Sequence, residues 1–455
     1  MAGSSSFHGC SGRLRTWLRQ LISQDPDESR VALWAAVYYF SLMCSYFIIK
    51  PLRDEMGVVS GVENLQYLFT ATFLVMLLIV PVFGWISSRY SREQFLPFVY
   101  GFFICNILLF FVLFKTHLSE VYVARIFYVW VSVFNLFVVS VFWSFMSEIF
   151  TSEQAKRLFT FIAAGGTIGG IAGPAITTGL VTILGPENLL IISGIFLGIA
   201  LYSIHRLHVW HLSLVNDRET RGGADSLQPV QLMNSGIMAG VRLVFRSRYL
   251  LGICSLILLY TALATFLYFQ QLTIVDAAFD EPAKRTAIFG IIELFTNGLT
   301  LFLQFIVTRK IVKRFGMAPV LALIPFLLCF GFLALWIAPV LGVIITVQVI
   351  RRAGNYAITR PMREMLYVVL SKEEKYKAKN FIDTAIYRGG DMASAWLYSG
   401  LSIGLGLSLS TIALLAVPIC GIWTLIAFKL GKSQESIISV PNNLQSEVYN
   451  DEIKV

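Results

Sequence analysis

Charge is what this chain of 455 residues has little of: Asp, Glu, Lys and Arg make up 14% of it. A soluble protein carries about a quarter, so a water-surrounded fold of this size is excluded. Cysteine is also scarce. Cys10, Cys44, Cys105, Cys254, Cys329 and Cys420 lie far apart. Five fall in or beside apolar runs, which points to reduced packing residues and not to a disulfide framework. His205, His208 and His211 recur every three residues but lack cysteine or carboxylate support, so interfacial packing fits them better than metal binding. No Gly-Lys-Ser/Thr follows AAGGTIGGIAG (Ala163–Gly173). The P-loop mechanism is therefore missing, and small residues at this spacing instead let two membrane helices pack closely. The first thirty residues hold no apolar stretch before a small-residue cleavage site, so no signal peptide is expected. With no metal constellation and no nucleophile–base pair, the expectation is a non-enzyme with no catalytic residue, no metal and no cofactor.

What the chain has in abundance is long apolar runs: Val31–Ile49, Asn64–Ser88, Gln94–Phe114, Val121–Met146, Leu158–Val181 and Leu189–Leu207, then Tyr249–Thr273, Ala287–Thr308, Met317–Ile337, Leu341–Tyr367, Phe381–Ile403 and Leu407–Phe428. Most are about twenty residues, the span of a bilayer, and helices are what satisfy the backbone there. The expected fold class is an all-α integral membrane protein of about twelve transmembrane helices. Most of the 36 Lys and Arg fall in alternate segments. The opposite side has Lys50, Arg53, Lys115, Arg125, Lys284 and Arg285. The positive-inside rule then places both termini in the cytoplasm. The net charge of +9 is mostly this bias and does not imply nucleic-acid binding.

The polar gap from His208 to Arg246 divides the runs into two groups of six. The expected divisions are a cytoplasmic tail (1–30), an N-terminal half (31–207), a cytoplasmic linker (208–246), a C-terminal half (247–430) and a second tail (431–455). The halves repeat weakly at an offset of about 220 residues, the internal symmetry transporters show. WISSRY near Arg89 aligns with FIVTRK near Arg309, and TFIAAGGTIGGI with NFIDTAIYRGGD. Six plus six helices with cytoplasmic termini is a major-facilitator-like architecture, whose solute site lies between the halves near the midplane.

Ionisable residues inside spans are functional candidates. FIIKPLRDEMG closes the first run with Lys50, Arg53 and Asp54. Lys50 and Asp54 can pair at i, i+4, and Pro51 is expected to kink or end the helix. The bland alternative is an outer helix end with snorkelling side chains. Glu293 has Asn297 at i+4, which suits either a site or a hydrogen-bonded helix contact. Arg352, Asn355, Thr359 and Arg363 share one helical stripe, flanked by Arg351, Tyr356, Arg360 and Glu364. Arginine forks suit carboxylate or phosphate. Alternatively, the second half of that run is a cytoplasmic extension of the helix. Asp383, Tyr387 and Asp391 share another face with Arg388 beside them. Arg388 either binds an anion or neutralises the two aspartates.

Four stretches resemble the nucleotide transporter family, the ATP/ADP translocases of plastids and obligate intracellular bacteria. They are FIIKPLRD, VFWSFMSEIFTSEQAKRLF (Val141–Phe159), NYAITRPMREMLYVVL (Asn355–Leu370) and KAKNFIDTAIYRGGD (Lys377–Asp391). Lys50, Arg53, Asp54, Arg363 and Arg388 match the family in type, and together with the in-span candidates Glu293, Arg352, Asn355 and Asp391 they make up the expected substrate site. Glu148, Lys156 and Arg157 lie in the family-like stretch around the fourth helix, and with Arg89 and Arg309 of the repeated loops they make up the expected cytoplasmic gate or motif. Three positions depart from the family: Asp391 stands where lysine is common, Ser147 where asparagine is common and Arg360 where an acid is common. The implied function is secondary transport of an organic anion, foremost an ATP/ADP-type nucleotide, by exchange and alternating access. The implied setting is a cell inner membrane, with a lipid bilayer and a small anionic solute as partners, no nucleic acid, and a monomer. The rivals are a proton-coupled transporter of another solute on the same fold, with Glu293 or Asp383 titrating, and a non-transporting membrane sensor or partner protein.

Overall fold

The computed structural model describes residues 26–89, 92–116, 119–220, 242–245, 247–304 and 314–439, and all its regular elements are helices. The first six are α1 (Pro26–Val59), α2 (Leu65–Arg89), α3 (Arg92–Lys115), α4 (Glu120–Ile149), α5 (Ser152–Leu184) and α6 (Asn188–Thr220). Then come α7 (Arg248–Ala278), α8 (Pro282–Phe302) and α9 (Met317–Ile337). α10 (Leu341–Gly354) runs through a π-helical turn, Asn355–Thr359, into α11 (Arg360–Leu366). α12 (Lys372–Phe381) runs through another, Ile382–Ile386, into α13 (Tyr387–Ser399), and the last helix is α14 (Leu409–Ser439). Among the described residues nine helices are long and apolar enough to cross a membrane, and the protein is an integral membrane protein. The three remaining expected spans are helical where described, but α8 holds Glu293, α10–α11 holds Arg351, Arg352, Arg360, Arg363 and Glu364, α12–α13 holds Asp383, Arg388 and Asp391, and the last two are interrupted by the π turns.

The chain divides into two compact units. The first takes in Met1–Leu52, Pro81–Val123 and Trp130–Pro229; the second takes in Arg53–Val80, Ala124–Val129 and Val230–Val455. These boundaries differ from a simple cut at the linker, because the end of α1, most of α2 and one stretch of α4 group with the C-terminal helices. Two of the divisions fall beside Pro51 and at Pro81. Pro51 removes one backbone donor but does not end α1, and the helix continues to Val59. Membrane helices tolerate proline where neighbours re-satisfy the backbone. FIIKPLRDEMG is therefore continuous helix up to Gly57, in the last turns of α1.

In the first unit, α5 lies directly on α1. A Cβ on Gly165 would collide with the Ala36 carbonyl, and one on Gly169 with that of Phe40. One on Gly173 would come within 2.8 Å of the Cys44 carbonyl oxygen and the Phe47 Cβ. The glycine-rich stretch is thus a packing face in which three glycines, four apart, admit a neighbouring backbone. Tyr39, which meets Gly166 of this face, stacks on Phe142 at 4.2 Å, and elsewhere in the unit Trp130 stacks on Phe134 at 5.3 Å. Buried Tyr38 and Tyr100 join their hydroxyls, and Ser45 and Ser193 join theirs at 2.8 Å. The core of the second unit runs through α7, α9, α10 and α14, with Phe266, Phe332, Ile344 and Trp423 buried in it. Gly390 brings α13 against α7, where an added Cβ would sit 2.6 Å from the Thr261 hydroxyl.

Candidate functional site

The predicted site residues of the second unit fall into four buried or half-buried groups. The first is at the end of α1. Arg53 lies over the Tyr128 ring, 4.1 Å from its centroid, and 3.7 Å from Asp54. Tyr268 donates to Asp54 Oδ1 at 2.9 Å, and Tyr128 donates to the Tyr268 hydroxyl at 3.2 Å. Asp54 is 1% exposed, so this tyrosine relay replaces the water a carboxylate would otherwise keep.

The second group joins Arg53 to α13. Arg53, Phe69, Thr72, Phe73, Tyr128, Arg388 and Asp391 line one cavity of about 60 Å³. Arg351 is buried and donates from Nε and Nη2 to Gln348 Oε1 at 3.1 and 2.9 Å. Gln348 in turn donates to the Leu267 carbonyl at 3.1 Å.

The third group is Glu293 on α8, fully buried and 2.6 Å from Arg352 on α10. The fourth joins α11 to the next helices. Arg363 stands 3.7 Å from Asp383, and Lys379 donates to Glu364 Oε2 at 2.6 Å.

The expected stripes are resolved into separate pairs. Arg352 and Arg363 go to different partners because the π turn Asn355–Thr359 lies between them; its wider hydrogen-bonding step rotates α11 out of the 3.6-residue register of α10. Asn355 opens that turn, and Thr359 within it is buried. The same thing separates Asp383, inside the second π turn, from Asp391, which lies beyond it on α13. Arg388 thus shares its cavity with Asp391, while Asp383 faces Arg363. Lys50 is buried, 5.2 Å from the Phe47 ring, and groups with the first unit.

Of the gate residues, Arg89 is exposed in the last turn of α2, and Glu148 is exposed near the end of α4. Arg157 donates to Glu28 Oε1 at 2.9 Å. Arg309 and the Lys156 side chain lie outside the described residues.

Sequence reasoning missed one pair altogether. Glu55, fully buried, accepts from Arg285 Nη2 at 2.7 Å and from Nε at 2.9 Å. The sequence assigns Arg285 to an outer loop. The available signal was the Asp54–Glu55 doublet: adjacent helix positions point about 100° apart and serve different partners. Thr72, Tyr128 and Tyr268 were also missed, since nothing in an isolated span distinguishes a hydroxyl at a site from one in the core.

Charged residues buried in membrane helices are functional candidates by default, and the protein is by class an all-helical integral membrane protein. A family model of the Major Facilitator Superfamily matches residues 31–375, and the chain belongs to that superfamily. It is 22% identical to ADP,ATP carrier protein 1 of Chlamydia muridarum, a match covering 64% of this chain and 61% of the relative. It is 21% identical to ADP,ATP carrier protein 2 of Chlamydia pneumoniae, covering 93% and 92%. A chloroplastic ADP,ATP carrier protein 2 of Arabidopsis thaliana is 22% identical, covering 71% and 56%. The match to the Chlamydia carrier protein 1 sequences spans about three fifths of their length. Among solved structures, a mutant of the nucleoside transporter NupG superimposes with a TM-score of 0.62 at 10% identity, covering 88% of this chain and 99% of that one. A bacterial homologue of the iron transporter ferroportin gives 0.60 at 11%, covering 88% and 98%. These structural likenesses show the fold alone.

Proposed function

We propose that this chain is a secondary transporter that carries an organic anion, a nucleotide of the ATP/ADP type, by exchange and alternating access. The observation that carries the reading is the cavity lined by both Arg53 and Arg388. Guanidinium groups in a low-dielectric interior favour a polyanion, and the relatives named for ADP and ATP supply the candidate. At about 60 Å³ the cavity holds about two waters, while an organic ligand needs a pocket of about 300–1,000 Å³. Cargo therefore binds in a more open arrangement than this one. Exchange of ATP for ADP moves about one charge, worth about 2.3 kcal/mol per 100 mV.

The architecture proposed with it is twelve spans in two six-helix halves, in a cell inner membrane, as a monomer with both termini cytoplasmic. Two capping boxes support the repeat. Thr151 with Gln154 opens α5 and Ser371 with Glu374 opens α12, at the same offset of about 220 residues that aligns the internal motifs.

The test is uptake of labelled ATP into proteoliposomes preloaded with ADP, phosphate or nothing. Faster uptake with internal ADP is the expected result. Equal rates from all three sink exchange, and no uptake above protein-free vesicles sinks the nucleotide.

A further inference from the structure

We propose that Asp391 is an internal counter-anion that takes the place of the cargo's negative charge, so that the transporter returns without cargo and performs net uptake as well as exchange. This deepens the anion-transporter reading and rests on it. The geometry begins on α13, where Arg388 and Asp391 are three residues apart and so lie on one side of the helix. Both line the small cavity with Arg53 and Thr72. Among the described residues neither Arg388 nor Asp391 makes an ion pair within 4.0 Å. They share a space without being locked to each other, so either is available to something that enters. The Thr72 hydroxyl lines the same space in a residue only 8% exposed, and it has no hydrogen-bond partner among the described residues.

The charge balance assigns Asp391 its part. Glu55 is matched by Arg285, Glu293 by Arg352, Asp383 by Arg363 and Glu364 by Lys379. Asp54 is held by Tyr268 and lies beside Arg53. Of the charged residues that line the cavity, what remains is Arg388 against Asp391. With Asp391 ionised the two balance. Without Asp391, the Arg53 and Arg388 guanidinium groups share a low-dielectric cavity with no other carboxylate in its described lining, and they resist being brought together. A cavity this small excludes a nucleotide, so an arrangement like the one seen is reached only if something already in the protein balances the arginines. Cargo phosphate takes the arginines from Asp391 when it enters, and Asp391 recovers them when it leaves. A transporter without such a carboxylate depends on a counter-anion for every return.

The experiment uses the full chain in proteoliposomes with labelled ATP outside and either ADP or no nucleotide inside. The wild type takes up ATP in both cases. In Asp391→Asn the ratio of uptake without internal nucleotide to uptake with it falls about tenfold. In Asp391→Asn/Arg388→Gln, which restores the balance, the ratio recovers. An unchanged ratio in Asp391→Asn overturns the proposal.

A second readout needs no transport. Thr72→Cys is treated with a neutral methanethiosulfonate reagent and followed by mass spectrometry of the peptide containing position 72. Adding Asp391→Asn speeds labelling about tenfold, and adding Arg388→Gln as well reverses it. A rate within about twofold of the Thr72→Cys parent overturns the proposal. Asp391→Ser serves as the neutral variant if Asp391→Asn does not fold. If ATP enters under no condition, the nucleotide reading fails, while the labelling rates still decide the role of Asp391.

Discussion

Arg285 reaches Glu55 with two of its nitrogens and turns the third to the backbone. Nε and Nη2 donate to the carboxylate at 2.9 and 2.7 Å, while Nη1 donates to the carbonyls of Phe279 and Asp280 at 3.0 and 3.1 Å. The end of α1 is thereby fastened to the turn between α7 and α8. A bidentate, fully hydrogen-bonded arginine is the form in which a buried ion pair survives desolvation.

Removing one partner strands the other. Glu55→Gln and Arg285→Met are each expected to destabilise the protein by about 3–5 kcal/mol, and the double variant by much less than their sum. Thermal unfolding in detergent measures this. Additive losses would show that the two residues act independently.

Glu293 and Arg352 are expected to behave as a coupled pair on α8 and α10. A double-mutant cycle with Glu293→Gln and Arg352→Met should return a coupling of about 0.5–3 kcal/mol in stability. Arg352→Lys is expected to recover only part of it, because an ammonium lacks the planar fork. A cycle that closes at zero removes this pair from the account.

Arg53→Ala and Arg388→Ala each remove a guanidinium from the cavity. Each charge-assisted hydrogen bond lost to a phosphate is worth about 1.5–3 kcal/mol, so labelled ATP should bind about tenfold or more weakly. Competition with unlabelled nucleotide reads this. Lys50→Ala tests whether its buried ammonium belongs to the same site. If Lys50→Ala and Arg53→Ala both transport normally, FIIKPLRDEMG is structural only.

Two glycines of α5 should respond in opposite directions to the same change. Gly169→Ala drives a methyl into the Phe40 carbonyl, whereas a Cβ at Gly179 meets nothing within 4 Å. The first is expected to cost about 1–3 kcal/mol as overpacking. The second should gain up to about 1 kcal/mol from helix propensity. Equal effects on the unfolding temperature would mean that α5 does not pack on α1 through Gly169.

Composition and apolar run length were enough to read a helical membrane protein. A bilayer leaves the backbone no other partner than itself, and a charge placed in a span is costly enough to stand out. Arg53, Asp54, Glu293, Arg352, Arg363, Arg388 and Asp391 were therefore legible as candidates. Their partners were not. Glu55 and Arg285 are separated by 230 positions, and no periodicity within one helix encodes a neighbour on another. Local winding mattered as much. The turns at Asn355–Thr359 and Ile382–Ile386 break the 3.6-residue register on which the stripes were drawn, so Arg352 and Arg363, like Asp383 and Asp391, were parted. The sequence by itself determined which charges enter the membrane. Only the tertiary structure decided which of them cancel and which are left facing a cavity, because that depends on distances between helices far apart in the chain.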